Sequence, residues 1–126
     1  MHAEIKAQWV AALRSGEYKQ GKSVLHNRET NEYCCLGVLC DLAVKAGVEV
    51  KQGEQSVTVG GDYVNPETIQ STRFGGRAQS LPAAVIGWAG LVEPDPMPEG
   101  VSDSLACLND SGDTFDQIAD VIERGL

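Results

Sequence analysis

Histidine is nearly missing from this chain, which holds only His2 and His26 in 126 residues, and its four cysteines include no C-x-x-C pair. A zinc site needs paired nitrogen or sulfur ligands at short spacing, so this pattern calls for no metal. Cys34 and Cys35 are adjacent, Cys40 follows closely and Cys107 stands far off, the usage expected of reduced thiols packed as small core residues. Long apolar runs are also missing. The mostly apolar stretches 33–42 and 81–92 are too short to cross a bilayer, and the opening Met-His-Ala-Glu-Ile-Lys lacks the features of a signal peptide. A cytoplasmic location with no membrane partner is the expectation.

Base is scarce and unevenly spread. Lys6, Arg14, Lys19, Lys22 and Arg28 crowd the first quarter, while nine acidic residues from Glu93 to Glu123 have no base between them and the net charge is −8. Duplex binding needs a large basic stripe, so a nucleic acid polymer is not an expected partner. A cationic side inside an acidic protein points instead to a local site for a small anion.

Length and composition fit a single globular domain spanning 1–126. Its expected class is α+β, with helices packed on a small antiparallel sheet of two hairpins. Ile5, Trp9, Ala12 and Leu13 recur at helical spacing and stop before Gly16. Tyr18–Leu25 and Glu32–Cys34 flank a turn-forming run and predict the first hairpin, and Cys35–Ala46 then reads as a buried helix closed by Gly47. Val57 and Val59 lead into Gly60-Gly61-Asp62 and on to Tyr63 and Val64, a second hairpin. Residues 65–80 show little periodicity and are expected to form a long irregular loop. A short helix follows Leu81-Pro82, Ser102 is expected to cap another, and Asn109-Asp110-Ser111-Gly112 breaks the chain. Thr114 with Gln117 has capping-box spacing before a last helix whose apolar face is Phe115, Ile118, Ala119, Val121 and Ile122.

Several stretches together carry a resemblance: Trp9–Gly16, Tyr18-Lys19-Gln20-Gly21, Tyr33-Cys34-Cys35-Leu36-Gly37-Val38-Leu39-Cys40-Asp41-Leu42, Leu81-Pro82, Trp88–Leu91, and Leu108–Gly112 with Thr114-Phe115 and Ile118-Ala119. The whole resembles small uncharacterised accessory proteins of tailed phages and prophages. What the resemblance implies is a phage product acting in the cytosol of a bacterial host. By analogy with other small phage proteins, it implies an antagonist of host defence.

Three functions follow as expectations. The first is a sponge that sequesters a phosphorylated, nucleotide-type signal without cleaving it. Lys19, Lys22, Arg73 and Arg77 would converge on phosphates, Gly75 and Gly76 would let their loop close as a lid, and Tyr18 or Phe74 would stack on a base. Asn109 and Asp110 would present an amide and a carboxylate to a ribose or base edge, and no cofactor is called for. Because small sponges commonly build pockets between protomers, a homo-oligomer is expected. The second is an enzyme using Cys35 near a helix N-terminus, His26 as base and Asp41 or Asp110 as orienter, or a metal held by Asp110, Asp113 and Asp116. Burial of Cys35 in an apolar segment and the helix-stabilising placement of the acids speak against it. The third is a protein-binding inhibitor whose acidic C-terminal third occupies a basic groove on a host nuclease. Of the three, the sponge, with no catalytic residue, is the expected function.

Overall fold

In the computed structural model, which describes residues 1–61 and 63–126, the chain forms one α+β domain of five helices and a five-stranded sheet. The helices are α1 (Ala3–Arg14), α2 (Cys35–Lys45), α3 (Ala83–Ala89), α4 (Leu105–Asp110) and α5 (Phe115–Gly125). The strands are β1 (Lys19–Gln20), β2 (His26–Asn27), β3 (Glu32–Tyr33), β4 (Gln52–Val59) and β5 (Glu67–Phe74), ordered β1-β3-β2-β5-β4.

The helices follow the apolar spacing. Trp9, Val10 and Leu13 turn one stripe of α1 inward, and α2 buries Cys35–Cys40 and Ala43 on nearly all sides. The Trp9 indole N–H donates to the Cys35 carbonyl at 2.9 Å, so the one polar atom of this buried ring is satisfied. Along α5, Phe115, Ile118, Ala119 and Ile122 complete the core against α1. At the far side of that contact Arg14 reaches Asp120 at 2.6 Å and Glu123 at 2.9 Å, which raises the guanidinium pKa through hydrogen bonds to both acids.

The expected capping box is formed: Thr114 Oγ1 accepts from the Gln117 N–H at 3.2 Å, and Gln117 Oε1 accepts from the Thr114 N–H at 2.9 Å. Thr114→Ala should lower stability by about 1 kcal/mol, read from the urea midpoint at unchanged m-value. A neutral result would mean that core packing alone holds the start of α5. In α4 the cap is Ser104, not Ser102, because the Ser104 hydroxyl is the one that meets the Cys107 N–H.

The sheet departs from the reading in three ways. It is mixed, not purely antiparallel, since β1, cut from the expected strand 18–25, lies parallel to β3; and the first hairpin pairs β3 with β2, which falls inside the run expected to turn. The segment 65–80 is not an irregular loop, since β5 occupies 67–74 and pairs with β4 over eight residue pairs, from Gln52↔Phe74 to Val59↔Glu67. The hairpin end therefore spans 60–66, and the expected turn residue Asp62 lies outside the described residues. Gly75 and Gly76, with φ of 55° and 86°, form a two-residue turn in which Phe74 and Arg77 exchange N–H···O=C bonds of 2.7 and 2.9 Å. Two successive positive φ angles are what this tight turn requires, and they make it a fixed corner. A small second core of Val24, Val57, Ile69 and Ala78 fastens the hairpin to the body. Among the described residues, no helix is long and apolar enough to cross a membrane.

Candidate functional site

The expected cationic cluster does not assemble. Lys22 lies beside Glu67 and Ile69, whereas Arg73 sits at the opposite end of β5 from Glu67, roughly 20 Å away at the rise of an extended strand. There its guanidinium covers Gly53, and Arg77 follows the glycine turn, exposed. Phe74 is only 4% exposed and packs in the main core, so it offers no face to a base. With Gly75 and Gly76 locked in the turn, no lid forms.

Tyr18 is engaged with α2. Its hydroxyl donates to Asp41 and accepts from Lys45 at 3.2 Å, and its ring meets the edge of Tyr33 at 5.2 Å. Burial, then the bond to Asp41, raises the phenol pKa, and the bond to Asp41 leads in raising that of Lys45. Cys35 is fully buried and its thiol points at the Leu105 carbonyl, 3.6 Å away. Burial pushes that thiol well above its ordinary pKa and the Cys34 thiol up to about 12, the reverse of what a nucleophile needs. His26, the expected base, has its ring nitrogens on Thr72 and Asn31 at 2.8 Å each. Among the described residues no three His, Cys, Asp or Glu side chains are grouped to hold a metal ion.

Asn109 is not at a surface turn. It lies within α4, fully buried, and all its hydrogen-bonding capacity is used inside the protein. Its Oδ1 accepts from Gln20 Nε2 at 3.0 Å and from the Cys35 N–H at 3.2 Å, and its Nδ2 donates to the Gly21 carbonyl at 2.8 Å and to Asp110 at 3.2 Å. Gln20 extends the brace, donating to the Asp113 carbonyl at 2.8 Å and accepting from the Phe115 N–H at 3.1 Å. Asp110, although exposed, accepts from the Ser23 N–H at 3.0 Å. The local sequence favoured a turn here; the partners that bury Asn109 come from far along the chain.

This brace holds the 20–23 segment in a strained shape. Ser23 has φ of 74°, a left-handed conformation costing of order 1–3 kcal/mol in a non-glycine residue. Its N–H is fixed by Asp110 and its carbonyl accepts from Gln79 Nε2 at 2.9 Å. Strain maintained from several sides often marks a working surface. Here it shapes one wall of an open groove of about 430 Å³. Gln20, Gly21, Lys22 and Ser23 line it together with Asn27 and Glu32, and Val59, Glu67 and Ile69 come from the β4–β5 hairpin. Lys19 stands at the margin, its ammonium 3.9 Å from Glu32.

Of the eight expected ligand residues, Lys22 alone lines this groove. Asn27, Glu32, Val59, Glu67 and Ile69 were missed, because nothing local in the sequence joins a β2–β3 hairpin to the remote end of β4–β5. The chemistry of the groove is mixed: one ammonium, two carboxylates, two amides, a hydroxyl and an aliphatic wall.

No curated protein and no solved structure matches this chain. A family model described as a domain of unknown function, DUF8296, matches residues 1–126. The chain therefore belongs to the DUF8296 family over its whole length.

Proposed function

We propose that this protein works by binding, without chemistry of its own, and that its groove receives a basic segment of a partner protein. One observation carries the reading: Glu32 and Glu67 share a groove with Val59 and Ile69, while Arg73 and Arg77 lie at the far end of the hairpin. A lysine or arginine would lay its aliphatic stem on the two apolar side chains and its charged head against the carboxylates. Lys22 and Asn27 would then meet the segment's carbonyls. A polyphosphate in the same groove would have to pass both carboxylates with Lys22 as its main counter-charge, so the sponge is the weaker reading. The chain's net charge of −8 would speed its encounter with a basic partner at low salt.

In the setting that the phage resemblance implies, the host bacterial cytosol, the partner would be a defence enzyme or nuclease with a basic nucleic-acid-binding surface. The acidic helix α5 contributes less than its sequence implied, because Asp120 and Glu123 already pair with Arg14.

Fluorescence anisotropy with matched peptides, one carrying arginines and one glutamates, tests the proposal. The arginine peptide should bind at least about tenfold more tightly, a difference of about 1.4 kcal/mol. Glu67→Lys should remove that preference, and added salt should weaken it. Thermal shift against cyclic dinucleotides, cyclic trinucleotides and cyclic ADP-ribose-type signals should stay flat. A shift with the nucleotide recovered intact would replace this reading with sequestration, and a changed mass would make the protein an enzyme.

A further inference from the structure

We propose that the outer edge of β4 pairs antiparallel with β4 of a second copy, joining two sheets into one continuous sheet. The inference does not depend on the groove, which opens on a face of the hairpin and not on its edge.

Strand β4 ends the sheet order and runs for eight residues, whereas β1 at the other end has two. Folded chains usually blunt such an edge with proline, lysine or a bulge. Between Gln52 and Val59 there is no proline and no lysine, and the pairing with β5 is unbroken, without a bulge. Its one charge, Glu54, is drawn to Arg28 on the β5 side, at 2.8 Å.

The direction of the free backbone groups follows from the ladder. The Gly75 N–H donates to the Lys51 carbonyl at 2.7 Å, next to the Gln52↔Phe74 pair. In an antiparallel ladder this assigns the inward bonds to Gly53, Gln55, Val57 and Val59, and turns the N–H and C=O groups of Gln52, Glu54, Ser56 and Thr58 outward. A two-fold axis normal to the sheet must pair residues of the same facing, so it passes through one residue and not between two. An axis at Gln55 or Ser56 keeps most of the strand paired. It sets Glu54 opposite Ser56 or Thr58 of the second copy, never opposite another Glu54.

The occupant is a second copy because this edge is neutral and complementary to itself; a basic segment would find on it only a carboxylate already paired. The same antiparallel approach carries the hairpin end past the second copy's 48–51 segment, where Val48 and Val50 are partly exposed. Tyr63, fully exposed, and Val64, 66% exposed, are thereby given an apolar neighbour.

Sedimentation equilibrium on the full chain should give twice the 13.4 kDa chain mass at high micromolar concentration. Ser56→Pro removes an outward N–H while leaving every backbone bond to β5, losing there only the exposed Ser56 hydroxyl's bond to Gln70, and should sediment at the single-chain mass with native circular dichroism. Should that variant fail to fold, amide exchange on the wild type decides. The Glu54, Ser56 and Thr58 amides should slow at least about tenfold on concentration, and those of Gln55 and Val57, already bonded to β5, should not. Wild-type protein that stays monomeric to about 1 mM, a folded Ser56→Pro that still dimerises, or protection gained elsewhere would each overturn the proposal.

Discussion

Gly37→Ala is expected to be the most damaging single methyl that can be added to this protein. Gly37 lies in the first turn of α2 directly against the buried Leu25 backbone, and a β-carbon there would run into the Leu25 carbonyl oxygen and lie 2.6 Å from its carbonyl carbon. A flexible side chain could swing away from such a contact, but a backbone carbonyl can move only with the segment that carries it. Leu25 is itself fixed, its N–H donating to the Ala78 carbonyl at 2.7 Å and its side chain fully buried. Glycine ordinarily weakens a helix by up to about 1 kcal/mol relative to alanine, so α2 gives up propensity here to permit close approach. The substitution should cost at least about 4 kcal/mol, enough to leave much of the protein unfolded or insoluble. Gly87→Ala is the matched control, because a β-carbon at that helical position meets nothing within 4 Å. It should stabilise by about 0.5–1 kcal/mol. Urea titration of the two variants should therefore move the midpoint in opposite directions, and a native midpoint for Gly37→Ala would contradict the packing of α2 on Leu25.

Asn109→Ala should cost about 3–4 kcal/mol and should also weaken peptide binding in the groove. The stability loss follows from what the amide leaves behind: the Cys35 N–H and the Gly21 carbonyl lose a partner inside the protein, where each unmet polar group costs about 1–3 kcal/mol. Asn109→Asp separates the two halves of the role. It keeps the acceptor for Gln20 and Cys35, removes the donor to Gly21, and brings a second carboxylate beside Asp110. Both variants should release the 20–23 segment, so exchange at Gly21 and Ser23 should quicken beyond what the global destabilisation explains. If affinity for the arginine peptide is unchanged in folded Asn109→Asp, the brace does not serve the groove.

The helices were legible because each rests on information held within a few turns. Trp9, Val10 and Leu13 mark their own inward stripe, and Thr114 and Gln117 contain both halves of a cap. Strand β5 was missed because its alternation is not one of apolar and polar residues. On the face that holds Ile69, the neighbours are Glu67, Ser71 and Arg73, and Ser71 is buried beside β2 and β4. The β-forming residues Thr68, Ile69, Thr72 and Phe74, set between Pro66 and the double glycine, were the available signal. The cations near the start were visible as composition, but composition carries no distance. Only the folded structure shows that Lys22 lies beside one end of β5 and Arg73 at the other. Asn109 had no local signal at all, since an Asn-Asp-Ser-Gly run reads as a turn until Gln20, Gly21 and Cys35 close around it.

The clasp between α1 and α5 has a consequence for the chain as it is made. Arg14 and its two acidic partners are separated by 106 and 109 residues, and the apolar stripe of α1 shares that partner helix. During synthesis at about 5–20 residues per second, Val10 and Leu13 must wait roughly 5–20 s before α5 exists to cover them. Until then α1 has α2 to pack against but not α5, and the stripe that α5 will cover is a surface suited to transient capture by a chaperone.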